Sequence, residues 1–194
     1  MTKQVFSKPF TQQEAIPEAG IARAVEIMKT GRLHRYNLLP DEAGEAAALE
    51  MEYAKWQGAD YCIACTSGGY AIQLGLRVCG VKPGDKVLAN AYTLAPVPGA
   101  IHNVGGVPVL VDIDESYHID CDDLDVKAAA SGAKYLLLSY MRGHIPDMDK
   151  LLAVCAKYDI CLIEDCAHTM GAKWRGIRSG NFGKVAAFST QTYK

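Results

Sequence analysis

Three short stretches of this 194-residue chain hold side chains whose types and spacing could do chemistry. The first is Cys65-Thr66-Ser67-Gly68-Gly69-Tyr70-Ala71, where an apolar run gives way to a helical one. Glycines at such a turn leave backbone N–H groups open at the positive end of the helix dipole, where a phosphate binds well. The same residues also fit a plain helix start, with Ser67 as N-cap and glycines for tight packing. They match neither a Walker A loop nor the dinucleotide pattern GxGxxG. The second stretch is Leu162-Ile163-Glu164-Asp165-Cys166-Ala167-His168. A carboxylate at the end of a buried strand needs a partner, because burying it alone is expensive. Asp165 could answer a protonated ring nitrogen, and equally a helix cap or an ion pair. His168 could face the same crevice or sit in the core with its hydrogen bonds satisfied. The third stretch is Ala187-Phe188-Ser189-Thr190-Gln191-Thr192-Tyr193-Lys194. Here Ser189 could add a hydroxyl to an anion and Lys194 could act as a nucleophile, although the common fate of a lysine is to be solvated.

Each stretch has an ordinary explanation, but their combination has a chemical meaning. A phosphate cradle, a carboxylate and a lysine, each after a different strand of one sheet, are the parts required to hold pyridoxal 5′-phosphate (PLP). The phosphate anchors the cofactor, the carboxylate keeps the pyridine nitrogen protonated, and the lysine forms an imine.

The elements that must position these residues follow from periodicity. Residues 14–30 place Ala15, Ile21, Ala22, Val25 and Met28 at helical spacing and stop at Gly31. A second helix is predicted from Pro40 to Gln57, with Asp41 and Glu42 in its first turn and Gly58 as its stop. Beyond Gly58, short apolar runs alternate with helical ones. The predicted strands are Tyr61–Cys65, Lys86–Ala89, Val107–Val111, Tyr135–Ser139, Cys161–Glu164 and Val185–Phe188. The predicted helices between them are Gly69–Cys79, Leu94–Asn103, Asp122–Ala130 and Met148–Tyr158. Continuous apolar strands separated by helices imply an α/β fold with a mainly parallel sheet covered on both faces. In such sheets ligands bind outside the carboxyl ends of the strands, where all three stretches begin.

Composition narrows the function further. The chain is 49% hydrophobic and 22% charged, with a formal net charge of −2 and no basic stripe, which argues against nucleic acid as a partner. No apolar run approaches the ~20 residues that span a bilayer, and the start lacks a secretory pattern, so no membrane is expected and a cytoplasmic location is. Seven cysteines are an odd number and no disulfide framework. Cys62 and Cys65 have CxxC spacing without a second ligand pair, so they are expected in a buried strand and no metal is expected.

The order and spacing of the motifs resemble the DegT/DnrJ/EryC1/StrS family of PLP-dependent (sugar) aminotransferases, from about Gly31 to Lys194. The resemblance is carried by Thr66-Ser67-Gly68-Gly69, Gly84-Asp85-Lys86-Val87, Asn90-Ala91-Tyr92-Thr93-Leu94, Val111-Asp112-Ile113-Asp114, Gly143-His144-Ile145-Pro146-Asp147-Met148-Asp149, Ile163-Glu164-Asp165-Cys166-Ala167-His168, and Phe188-Ser189 with Lys194 five residues after the serine. It implies the large domain of a type I, aspartate aminotransferase-like PLP transferase. Residues 59–194 would be the PLP-binding α/β domain, and residues 1–58 an N-terminal helical segment. It also implies a longer protein that continues past Lys194 into a small C-terminal domain.

By resemblance, Gly68, Gly69 and Ser189 would hold the PLP phosphate, Asp165 the pyridine nitrogen, and His168 the neighbourhood of the cofactor's 3-oxygen. Lys194 would form the Schiff base and then shuttle a proton, so Lys194, Asp165 and His168 are the predicted catalytic residues. The implied reaction moves an amino group from an amino acid, glutamate or glutamine, to a keto sugar linked to a nucleotide, in a homodimer. A keto-inositol or another cyclic ketone is the alternative acceptor. A nucleotide-binding α/β module without PLP catalysis, and a PLP-fold regulator or structural subunit, are the rival classes. Three departures stand out: Gly69 replaces the usual threonine, Leu94 replaces the usual ring-stacking aromatic so that either Leu94 or Tyr92 must cover the pyridine, and the segment from Gly31 to Asn37 lacks a second glycine.

Overall fold

The computed structural model describes residues 15–191. Five strands form one all-parallel sheet in the order β2-β1-β3-β4-β7: β1 Lys86–Asn90, β2 Val107–Val111, β3 Tyr135–Ser139, β4 Cys161–Asp165 and β7 Val185–Ala187. The helices α3 Gly68–Val78, α4 Pro96–Asn103, α5 Cys121–Ser131 and α6 Met148–Tyr158 cover it. A short antiparallel hairpin, β5 Lys173–Trp174 and β6 Ile177–Arg178, follows β4.

The two-residue period of the strands sorts the core into two layers. Val87 and Ala89 of β1, Leu137 of β3, Ile163 of β4 and Ala187 of β7 pack with Ile72, Leu76, Val97, Ala100 and Ile101 of α3 and α4. Leu88, Leu136, Leu138 and Leu162 pack on the other face with Leu124, Ala128, Met148, Leu151 and Cys155 of α5 and α6. Each fully buried leucine of this kind stabilises the fold by roughly 1.5–3 kcal/mol. The expected α/β class with a mainly parallel, doubly covered sheet is therefore what forms. Side-chain caps set the helix starts: Asp120 accepts from Asp122 N and Asp123 N, and Asp147 accepts from Asp149 N and Lys150 N.

The helical pair α1 Glu18–Thr30 and α2 Glu45–Gln57 precedes the sheet. Gly31 and Gly58 close these helices in the left-handed conformation, as the sequence predicts. Both starts fall later than predicted. Residues 15–17 are not helical and Pro17 is the N-cap of α1, since a proline disfavours the α conformation at the residue before it. Ahead of α2, Asp41 adopts a left-handed φ of 65°, while the Glu42 carboxylate accepts from Leu39 N at 2.9 Å and pairs with Arg32. These acids shape a turn instead of capping a helix. The end of α2 is tied to the loop before β7: Gln57 Nε2 donates to Ser179 O at 2.7 Å, and Asn181 Nδ2 donates to Gln57 O at 2.9 Å.

The predicted strand Tyr61–Cys65 does not form. These residues make no ladder among the described residues, Tyr61 is 91% and Ile63 61% exposed, and Cys62 is half-buried in place of lying inside a sheet. Apolar composition alone does not make a strand; a neighbouring backbone must accept its hydrogen bonds. Burial and the Glu50 carboxylate push the Cys62 thiol up, which is the reverse of an activated CxxC thiol. Among the described residues no helix is long and apolar enough to cross a membrane.

Candidate functional site

Strand order reverses direction at β1: β2 lies on one side of it and β3 on the other. The crevice at the carboxyl ends of β1 and β3 is therefore a topological switch point, the place where α/β sheets bind ligands. Three strands that meet this edge each end in a polar residue, Asn90 on β1, Ser139 on β3 and Asp165 on β4, and all three are buried.

These residues form one network. Asn90 clamps the two strands at the switch point: its Nδ2 donates to Ser139 O at 3.1 Å and Tyr92 O at 2.8 Å, and its Oδ1 accepts from Ser139 N at 2.9 Å. Thr93 Oγ1 donates to Ser139 Oγ at 2.8 Å, which commits the Ser139 proton to Asp165 Oδ2 at 2.9 Å. Asp165 Oδ1 accepts from Ala167 N at 3.2 Å. A carboxylate held this way has its orientation fixed before any ligand arrives.

Of the two readings of the glycine turn, the helix start with Ser67 as N-cap is what forms. Ser67 caps α3 by accepting from Tyr70 N at 3.1 Å, which leaves the two N–H groups before it. Among the described residues nothing accepts from Gly68 N or Gly69 N. A Cβ on Gly68 would lie 3.7 Å from Ser189 Cβ and 3.9 Å from Phe188 O, so the helix start faces the residues leaving β7. Gly68 and Ser189 are thus brought together, with Gly69 next in the helix against Pro96 and Asp165 one strand away, since Asp165 pairs in register with Ala187 of β7. The open N–H groups and the serine hydroxyl suit a phosphate, and the buried carboxylate suits a protonated ring nitrogen.

His168 lies beside the network, its Nδ1 accepting from Arg142 N at 3.1 Å. Leu94 is exposed at the entry to α4, whereas the Tyr92 ring is engaged with Tyr117 at 5.2 Å between centroids. Lys194, five residues after Ser189, lies outside the described residues.

Sequence reasoning singled out Asp165 and passed over its neighbour Glu164, which points to the opposite face and is fully buried. Its carboxylate accepts from Tyr140 Oη at 2.7 Å, Gly180 N at 2.8 Å, Phe182 N at 2.9 Å and Gly183 N at 2.6 Å. Burial and the negative Glu164 push the Tyr140 hydroxyl far up, which keeps it a donor. Gly183 passes so close to β4 that a Cβ there would sit 2.5 Å from Leu162 O. Glu164 therefore holds the loop that leads into β7 and Ser189. Glu164→Gln replaces one acceptor oxygen by a donor facing donors, and is expected to destabilise by about 3 kcal/mol. Chemical denaturation measures it; a loss under about 1 kcal/mol would show that the loop does not depend on this carboxylate.

The chain matches the profile of the DegT/DnrJ/EryC1/StrS aminotransferase family over residues 17–194. It is 35% identical to a 3-amino-5-hydroxybenzoate synthase of Amycolatopsis mediterranei over 151 residues, which are 77% of this chain and 39% of that protein. It is also 35% identical to a UDP-2-acetamido-2-deoxy-3-oxo-D-glucuronate aminotransferase of Pseudomonas aeruginosa over 173 residues, 89% of this chain and 45% of that one. Among solved structures it resembles the PLP-form of a protein assigned as a sugar aminotransferase from Streptococcus pneumoniae, with a TM-score of 0.84 and 25% identity over 97% of this chain and 50% of that one. The chain thus spans about two fifths to half the length of the relatives it matches. Its sheet is that of the large domain of PLP-dependent transferases, and the chain belongs to the DegT/DnrJ/EryC1/StrS aminotransferase family.

Proposed function

We propose that this chain carries the cofactor-binding part of a PLP-dependent aminotransferase that moves an amino group from glutamate or glutamine to a keto sugar, in its first form a nucleotide-linked one. One observation carries the reading: a helix start with open N–H groups, a hydroxyl beside it and an oriented buried carboxylate converge at one switch-point edge. In this reading residues 59–194 are the PLP-binding α/β domain and residues 1–58 a helical segment ahead of it.

The roles follow from the chemistry of the groups. Gly68 N, Gly69 N and the Ser189 hydroxyl bind the phosphate. Asp165, held by Ser139 and Ala167, keeps a proton on the ring nitrogen. His168 would stand near the cofactor's 3-oxygen, and Leu94 would cover the ring with its apolar side chain, since Tyr92 is engaged with Tyr117. Lys194 would hold the cofactor through its amine and would then serve as the group that takes up and returns a proton. Bound there, PLP supplies an electron sink for the negative charge that develops when that proton leaves. The exposed Ile21, Val25 and Met28 of α1 and Leu49 and Met51 of α2 fit a homodimer in which such faces are covered. A cytoplasmic enzyme of small-molecule biosynthesis accords with this.

The test is nitrogen transfer by the full-length protein. With glutamine or glutamate labelled with heavy nitrogen, mass spectrometry is expected to find the label on a nucleotide-linked keto hexose. Label appearing only on a keto-inositol would select the alternative acceptor. No label on any ketone, together with no conversion of the donor to its keto acid, would refute the aminotransferase reading.

A further inference from the structure

Arg142 is exposed, stands at the carboxyl edge of the sheet, and has no place in the roles above. It lies in a one-turn helix, Met141–Gly143, directly after β3, with φ 58° and ψ 20°. That left-handed conformation costs a residue other than glycine roughly 1–2 kcal/mol. It is held by Arg142 N on His168 Nδ1 at 3.1 Å, Gly143 N on Tyr140 O at 3.0 Å and His144 N on Met141 O at 3.2 Å. A Cβ on Gly143 would lie 3.5 Å from His168 O, so this turn is seated on His168. A glycine or asparagine would relax the backbone, yet an arginine occupies the position. Arg23, Arg32, Arg35 and Arg175 pair with carboxylates, Arg178 lies over the Trp56 ring, and Arg77 stands exposed in the last turn of α3, away from this edge. Arg142 makes no ion pair or side-chain hydrogen bond among the described residues.

We propose that the Arg142 guanidinium receives the carboxylate of the amino-acid donor; this deepens the aminotransferase reading and rests on it. A donor whose amino-bearing carbon is worked on beside His168 must place its carboxylate within a few bonds of that point. The planar guanidinium forks onto a carboxylate through parallel N–H bonds, which a lysine ammonium cannot reproduce. The left-handed backbone fixes where the side chain leaves the turn, and the hydrogen bond to His168 comes from the backbone, so changing the side chain leaves His168 in place.

The experiment uses the full-length protein loaded with PLP. Calorimetry with glutarate, an unreactive dicarboxylate, measures binding, and rapid-mixing spectroscopy of the bound cofactor follows conversion by glutamate. Arg142→Gln is expected to weaken glutarate binding by about 10- to 100-fold and to raise the half-saturating glutamate concentration by a similar factor. Arg142→Lys should fall between it and the wild type. Arg142→Gly removes the charge and relaxes the backbone, so it should show the same loss of binding with no lower melting temperature. Unchanged glutarate binding in Arg142→Gln or Arg142→Gly would overturn the assignment. So would a rise in KM confined to a nucleotide-linked acceptor, which would assign Arg142 to that molecule's phosphates. If the wild type binds glutarate through Arg142 yet converts no donor, the carboxylate site stands and the aminotransferase reading fails.

Discussion

Asp165→Asn is expected to lower turnover of the full-length protein by about 100- to 1,000-fold while leaving the fold intact. The effect on stability is small because the amide is nearly isosteric. The Ser139 proton is committed to Asp165 Oδ2, since Ser139 Oγ itself accepts from Thr93, and Ala167 N points at Oδ1. An asparagine offers one acceptor oxygen to these two donors, so one hydrogen bond is lost at about 1 kcal/mol. That corresponds to a fall in Tm of about 2–4 °C. The effect on rate is expected to be large because, in the proposed function, a neutral amide would not hold a proton on the ring nitrogen and the electron sink would weaken. Melting curves and kcat for nitrogen transfer separate the two. A kcat within about threefold of the wild type would remove Asp165 from the catalytic group.

Much of this network was written in the sequence. The bounds of β2, β3 and α6 coincide with their apolar periods: β3 is a buried central strand and α6 has one buried stripe, while β2 keeps an apolar run although it is a largely exposed edge strand. Three apolar runs each close on a polar residue, Asn90, Ser139 and Asp165, of which the sequence reading singled out Asp165 alone. What the sequence could not show is the register. Ser139 is the direct neighbour of Asp165 across β3 and β4, and only that pairing turns separate polar residues into a chain of hydrogen bonds. Consecutive acids at the end of β4 carry the same lesson. In a strand they face opposite ways, so Glu164 had to be a buried structural carboxylate if Asp165 faced the site. The failures have one physical origin: Tyr61–Cys65 has the composition of a strand without a partner, and the acids before α2 found Arg32 and a backbone N–H instead of a helix dipole. The hairpin β5–β6 was missed because its turn, Arg175-Gly176, carries positive φ values of 46° and 88° without the usual Asn-Gly signature.

Lys194→Ala is expected to abolish turnover, with a loss on the order of 10,000-fold or more, because in the proposed function one side chain would both hold the cofactor and move the proton. Lys194 itself lies outside the described residues, and the residues that lead toward it support the proposal. Strand β7 pairs in parallel with β4, so the chain leaves β7 at the same edge at which Asp165 stands, and Ser189 follows two residues beyond Ala187 beside the glycine turn. The residues after Ser189 therefore start from the crevice. Other lysines are placed differently: Lys157 is paired with Asp125 on the surface, Lys134 and Lys86 donate to carbonyls, and Lys184 lies exposed at the opposite end of β7. Borohydride reduction of the full-length protein followed by peptide mass spectrometry should find the cofactor's mass on the peptide that contains Lys194. Lys194→Ala should lose that adduct and the visible absorbance of the covalently bound cofactor, while the phosphate cradle and Asp165 still bind PLP noncovalently. Turnover retained in Lys194→Ala, or the adduct found on another lysine, would move the catalytic base elsewhere in the chain.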